Sequence, residues 1–247
     1  MPAHGHRKGR NKLSSWLFTA CNAAFKTTLR IFADRDIRGS ENIPAHGPVI
    51  FIANHLSNLD PPIVASVTGR KPGFLAKQEL FKLKIAACFL NAYGAHPLKR
   101  GTSDIGALRW ATQRLRQPNG ALIIFPEGTR NKNADGMGKS LSGVTQLALM
   151  TGAPVVPIGL YGSQSLQSML KVFIPRANLQ IRIGKPIELV ASRDKRPTRD
   201  ETEAMTTELM VRVANLLPES QHGYYRDMVG TPFTYTREFD ATRSTQT

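Results

Sequence analysis

Residues 49–62 read Val49-Ile50-Phe51-Ile52-Ala53-Asn54-His55-Leu56-Ser57-Asn58-Leu59-Asp60-Pro61-Pro62. The run Val49–Ala53 is apolar without alternation, the pattern of a strand buried on both faces. Asp followed by Pro is a common way to begin a helix. The stretch therefore reads as strand, polar turn, helix, and that order recurs downstream. Strands are expected at Gly73–Ala76, Ala95–Leu98, Ala121–Phe125, Val155–Leu160 and Leu179–Ile183, with a short one near Ile37-Arg38-Gly39. Helices are expected at Pro61–Val67, Leu80–Leu90, Ile105–Leu115, Leu141–Met150 and Glu203–Leu216. Such alternation makes an α/β layered fold, with a mostly parallel or mixed sheet flanked by helices. The chain divides into a basic N-terminal segment (residues 1–36), an α/β domain (37–218) and a polar C-terminal tail (219–247).

An apolar content of 41% supports a real core and argues against disorder. A net charge of +15 points to anionic partners: lipid head groups, phosphorylated substrates or nucleic acid. Cys21 and Cys88 both lie among apolar neighbours, as small buried hydrophobes would in a reducing compartment. No CxxC or Cys/His spacing suggests a metal site. No apolar run reaches the roughly 18 residues of a convincing membrane span.

Near the N-terminus, the basic stretch from His6 to Lys12 precedes Leu13-Ser14-Ser15-Trp16-Leu17-Phe18. The apolar core is short and broken by Ser14, Ser15 and Thr19, a poor fit to an export signal despite Phe18-Thr19-Ala20-Cys21. Leu13, Trp16, Leu17, Ala20, Ala24, Phe25, Leu29 and Phe32 recur at helical spacing, with Lys12, Lys26 and Arg30 on the other side. Two roles fit this helix: lying in the head-group plane of an anionic membrane, or packing on the main domain.

Three loops at strand ends carry chemistry. The first holds His55 and Asp60. Imidazole is the side chain best suited to move protons near neutral pH, and a carboxylate folded back onto it would fix its tautomer. Asp60 as a plain helix cap and His55 as a structural histidine fit the local sequence too. The second loop, Phe125-Pro126-Glu127-Gly128-Thr129-Arg130, offers a carboxylate, a flexible glycine and a planar guanidinium that suits phosphate. The third, Pro97-Leu98-Lys99-Arg100-Gly101, adds two cations. Gly138-Lys139-Ser140 ends like a phosphate-binding P-loop, but Asn133 stands where that pattern needs its first glycine. No GxSxG elbow exists, so Ser57 is a weak nucleophile candidate. One histidine and one carboxylate are too few ligands for a dedicated zinc site.

These residues resemble the glycerolipid acyltransferases, specifically the 1-acyl-sn-glycerol-3-phosphate (lysophosphatidic acid) acyltransferases. The family's NHxSxxD motif is present in full as Asn54, His55, Ser57 and Asp60. Its FPEGTR motif is matched by Phe125 to Arg130. Its looser second motif, a strand end closing in arginine, corresponds to Tyr93–Arg100, and its proline-containing fourth motif to Val155–Gly159. Lys139 and Gly143 match a later Lys and Gly. The resemblance runs from about Ile37 to Leu189.

The resemblance implies acyl transfer from a thioester to a glycerolipid hydroxyl without an acyl-enzyme, with the sn-2 hydroxyl of the lysolipid giving phosphatidic acid as the leading case. Another lysolipid in a remodelling reaction fits the motifs equally. A non-catalytic basic protein binding membrane or nucleic acid would explain the charge but not both motifs. His55 would be the general base and Asp60 its orienting acid. Lys99, Arg100, Glu127, Gly128 and Arg130 would bind or position the acceptor, Glu127 by orienting an arginine or bonding the glycerol hydroxyl. The donor would be acyl-CoA or acyl-carrier protein, with no cofactor and no metal. The implied partners are an anionic membrane surface and a lysophospholipid, not nucleic acid. The implied place is the cytoplasmic face of the cell membrane. Family members use a two-helix element for docking; here one helix is evident, and Phe81–Tyr93 with Lys82 and Lys84 is a candidate second membrane-facing patch.

Overall fold

The structure, a computed structural model, describes residues 6–82, 84–99, 104–131, 136–190 and 196–240. Nine strands are present among these residues: β1 (Asp34–Arg38), β2 (Val49–Ala53), β3 (Gly73–Lys77), β4 (Ala95–Leu98), β5 (Ala121–Ile124), β6 (Val155–Tyr161), β7 (Asn178–Ile183), β8 (Ile187–Leu189) and β9 (Thr236–Glu238). Six α-helices accompany them, besides short 3-10 turns: α1 (His6–Phe32), α2 (Asp60–Thr68), α3 (Lys84–Ala92), α4 (Ile105–Leu115), α5 (Gly143–Thr151) and α6 (Arg199–Ala214). The strand order is β1-β7-β6-β2-β5-β3-β4, and β8 and β9 extend from β6 as a short antiparallel flap. Strands β6, β2, β5, β3 and β4 run parallel, while β7 is antiparallel to β6. The sheet is mixed, within the expected class.

The unalternating apolar run of β2 has the anticipated consequence. Val49, Phe51 and Ala53 point into one core with Phe18, Phe25 and Leu29 of α1, Ile63 of α2 and Leu90 of α3. Ile50 and Ile52 point into a second core with Leu115 of α4, Leu147 of α5 and Leu209 of α6. Burial of both faces is why β2 reads as a solid hydrophobic block. It also puts β2 at the centre, paired with β5 and β6, so the loop leaving β2 emerges mid-sheet.

Residues 6–38 and 219–240 join the domain more closely than the segment boundaries suggest. The first strand begins at Asp34, and α1 packs on the domain through Phe18, Phe25 and Leu29. Residues 219–240, expected as a tail, fold back onto α6. Glu208 accepts hydrogen bonds from the backbone N–H groups of Thr234 (2.7 Å) and Tyr235 (2.9 Å). Arg212 donates to Thr236 Oγ1 at 2.8 Å and covers the Phe233 ring. The segment is polar because its hydrogen bonds go to α6 side chains, which composition does not reveal. Both cysteines are free, and Cys88, expected inside, lies on the exposed side of α3.

Gly159 lets β6 approach the end of α6. A Cβ there would meet Leu216 Cβ at 2.9 Å and Leu216 O at 3.1 Å. Gly159→Ala should destabilise the protein by about 1–3 kcal/mol, because helix or strand must shift. Thermal unfolding measures it; an unchanged midpoint would show that the contact has slack.

Candidate active site

The Asn54 amide decides where the β2 strand stops. Its Oδ1 accepts from Leu160 N–H and its Nδ2 donates to Leu160 C=O, both at 2.8 Å, tying the end of β2 to β6. The chain then turns through His55–Leu59 into α2. Asp60 is the first residue of that helix, yet its fully buried carboxylate folds away from the helix, back over the turn. Oδ2 accepts from Leu56 N–H and Ser57 N–H, each at 2.6 Å, and bonds His55 Nδ1 at 2.8 Å. Oδ1 accepts from the buried Ser163 hydroxyl at 2.6 Å. The helix-cap alternative therefore has no support in the hydrogen bonding.

This arrangement leaves Nε2 as the available nitrogen of His55. The ring also stacks on Phe125, with centroids 4.2 Å apart and planes 24° from parallel. Ser57, the weak nucleophile candidate, is fully buried; its hydroxyl donates to Leu166 C=O and accepts from Leu59 N–H. That is a structural role.

Among the described residues, the Glu127 carboxylate is held by two backbone N–H groups. Oε1 accepts from His55 N–H at 3.1 Å and Oε2 from Gly138 N–H at 2.7 Å. Burial pushes its pKa above the ordinary value, while these two backbone donors pull it down. Glu127 thus braces the backbone of the histidine loop against residues 136–140. Those residues are held in turn by the C-terminal segment: Tyr225 donates to Ser140 Oγ at 2.8 Å and accepts from Ser140 N–H at 3.1 Å. Gly128 follows at φ +68°, a left-handed turn that its lack of a Cβ permits, and its N–H is spent on Phe125 C=O.

Arg130 turns toward the loop after β6, where Nη1 meets Gln167 Oε1 at 3.3 Å. Gln167 Nε2 donates to Leu56 C=O at 2.8 Å, and Asn58 Nδ2 donates to Gln167 C=O at 2.9 Å. Lys99 lies on the other side, at the end of β4, where its N–H donates to Asp104 at 3.0 Å. Asp104 also caps α4 through Ala107 N–H, and these backbone donors hold its pKa below the ordinary value. Arg100 lies outside the described residues.

A cleft of about 480 Å³ opens beside the histidine. Its walls are apolar, with Leu75, Leu98, Ile105, Leu108, Ile123 and Leu147 among them, and His55, Glu127, Gly128 and Lys99 also line it. The structure thus gathers His55, Glu127, Gly128 and Lys99 at one cavity, with Asp60 behind the imidazole and Arg130 facing Gln167. Ser163, Gln167 and Tyr225 were not read from the sequence. Nothing local marks them, since their roles come from strand order. Among the described residues, no three His, Cys, Asp or Glu side chains are placed to hold a metal ion.

A chloroplastic 1-acyl-sn-glycerol-3-phosphate acyltransferase of Brassica napus is 30% identical over 160 residues, covering 63% of this chain and 46% of the relative. An enzyme of the same name from Streptococcus pneumoniae is 29% identical over 141 residues, covering 57% and 50%. The chain therefore matches about half the length of these curated relatives. The crystal structure of the 1-acyl-sn-glycerophosphate (LPA) acyltransferase of Thermotoga maritima superposes with a TM-score of 0.59 at 24% identity, covering 85% of this chain and 81% of that one, a likeness of fold. The family model described as Acyltransferase matches residues 34–161, a stretch running from β1 through both motif loops to the end of β6. That stretch is just over half of the sequence, and by it the chain belongs to the acyltransferase family.

Proposed function

We propose that this protein transfers a fatty acyl group from acyl-CoA or acyl-carrier protein to the sn-2 hydroxyl of 1-acyl-glycerol-3-phosphate, giving phosphatidic acid. The observation that carries the proposal is the His55 Nδ1···Asp60 Oδ2 bond of 2.8 Å on a histidine that lines an apolar cleft. With Nδ1 held, Nε2 accepts the proton of the acceptor hydroxyl as its oxygen attacks the thioester carbonyl. The tetrahedral intermediate collapses, the C–S bond breaks, and the proton on His55 passes to the departing thiolate. Asp60 supports the imidazolium between these steps. The thioester already carries an activated acyl group, so the reading calls on no cofactor and no metal.

The apolar cleft suits a hydrocarbon chain. Lys99, Arg100 and Arg130 supply charge for the acceptor phosphate. Glu127 and Gly128 act on the acceptor indirectly, by fixing the loop that presents His55. The acceptor itself is inferred from the relatives' names. A lipid acceptor calls for work at a bilayer, and no helix among the described residues is long and apolar enough to cross one. The reading puts the protein on the cytoplasmic face of the cell membrane, where its proposed substrates would be made, held peripherally by α1, with an anionic lipid surface and not nucleic acid as its partner.

Labelled oleoyl-CoA and lysophosphatidate in anionic vesicles test the reading directly; a folded, inactive wild type given either donor would overturn it. His55→Ala should lower kcat by about 10²–10⁴-fold with the fold intact, and full activity would remove His55 from the mechanism. Arg130→Ala should raise the KM for lysophosphatidate and change kcat little, whereas an unchanged KM would remove the phosphate contact. Ser163→Ala strips one hydrogen bond from a buried carboxylate, a loss of about 1.5–3 kcal/mol. It should lower kcat without raising KM, and a shifted KM alone would assign Ser163 to substrate binding instead.

A further inference from the structure

Two exposed apolar groups lie where a folded protein gains nothing from them. On α1, Trp16 is 67% exposed and Ile31 66%, on a stripe with Ala20 and Ala24 that faces away from the buried Phe18, Phe25 and Leu29. In the segment after β6, Leu170 is 76% exposed, Phe173 67% and Ile174 51%. Their neighbours Met169 and Val172 pack against the core, so the segment is anchored and presents only its outer side chains. Thr28 Oγ1 of α1 donates to Val172 C=O at 3.0 Å, and Asp34 N–H donates to Ala177 C=O at 3.0 Å, which join the two groups into one surface. In the Phe81–Tyr93 segment, among the described side chains, Leu90 and Tyr93 are buried and Phe81 and Phe89 pack against the core.

Strand directions place residues 162–177 and the end of α1 around Ile31 at the catalytic edge of the sheet. The Trp16 end of α1 lies toward the opposite edge, where Phe18 packs on Tyr93 and Lys71, ahead of β4 and β3. Strand β6 runs parallel to β2 and ends beside the histidine loop. Strand β7 is antiparallel to β6, and β1 is parallel to β7, so both begin at that same edge. The C-terminus of α1 and residues 162–177 therefore flank the active-site loops. The root of the segment also bonds them, through Ser163 to Asp60, Leu166 to Ser57 and Gln167 to Leu56.

The charge around this surface is mainly positive, with the exposed Asp34 at the junction as an exception. No Asp or Glu occurs in residues 1–33 or in residues 136–187. Lys26, Arg30, Lys171 and Arg176, all exposed, lie within the two stretches. Exposed Leu, Ile and Phe side chains among an excess of cations match an interface between anionic head groups and acyl chains.

We propose that residues 169–176 form a membrane-inserting segment that, with Ile31 at the end of α1, docks the catalytic edge of the sheet on an anionic bilayer. The proposal rests on the acyltransferase reading for what docking serves: it would set the histidine loop at head-group depth, where a lysolipid hydroxyl lies. The surface itself stands on exposure, charge and topology.

Flotation of the full chain with phosphatidylcholine vesicles containing phosphatidylglycerol tests it. The combined variant Leu170→Ser, Phe173→Ser and Ile174→Ser should partition at least about tenfold less onto vesicles, since three apolar side chains no longer enter the interface. Its thermal midpoint and its turnover of a short-chain, monomeric lysophosphatidate should match wild type. Lys171→Ala with Arg176→Ala should weaken binding at low salt, with the difference closing as salt rises. Equal flotation of the serine variant and wild type would overturn the proposal. So would a wild-type dimer in sedimentation velocity that the serine substitutions dissolve, which would assign the surface to a second copy of the chain. Flotation reads binding alone, so a protein that docks and transfers no acyl group would refute the acyltransferase reading and leave the docking surface standing.

Discussion

A carboxylate with no exposed surface must find its hydrogen bonds inside the protein, and Asp60 finds four of them from three places in the chain. Two come from the backbone of its own turn, one from His55 and one from Ser163 beyond β6. Burying a charge without such donors would cost several kcal/mol, so the turn, the imidazole and the end of β6 are constrained together. Much of the site's geometry follows. The histidine tautomer, the tight turn at residues 55–59 and the docking of Ser163 all serve the same two oxygens. In the proposed mechanism, that charge also faces the imidazolium that forms on His55.

Around it the protein repeats one device: a polar side chain that reads the backbone of a distant loop. The Asn54 amide spans to Leu160, Glu127 spans to His55 and Gly138, and Gln167 spans to Leu56. Hydrogen bonds between side chain and backbone hold loops that have no ladder of their own. Glu127 shows the cost. Burial works against its ionised form, and the two backbone donors offset part of that. The sequence suggests a carboxylate out of place near a phosphate; the structure turns it into a brace.

How much of this was legible depends on the range of the cause. Strands such as Val49–Ala53 and Val155–Tyr161 could be read because burial on both faces leaves a local trace, a run of apolar residues. The short strand Thr236-Arg237-Glu238 leaves none, because its pairing and its contacts with Glu208 and Arg212 are made at a distance. His55 and Asp60 stood out through their spacing and type. Ser163 and Tyr225 look ordinary in the sequence and matter only because β6 runs beside β2 and the chain returns over residues 136–140. The outward stripe of α1 was partly readable: helical spacing named Trp16, Ala20 and Ala24 but assigned Phe25 and Leu29 to the same face, which the structure turns inward.

The closing contacts of the site join residues far apart in the chain: Asn54 with Leu160, Asp60 with Ser163 and Ser140 with Tyr225. Synthesis is vectorial, and each of these pairs waits for its later member to leave the ribosome. The histidine loop is made early, but its carboxylate lacks a donor until Ser163 emerges, and its bracing loop lacks a clamp until Tyr225 does. Helix α1 and its apolar stripe are available long before either. A nascent chain thus displays the exposed stripe of α1 before the partners of the histidine loop exist, and the last of these contacts forms only once Tyr225 has been made.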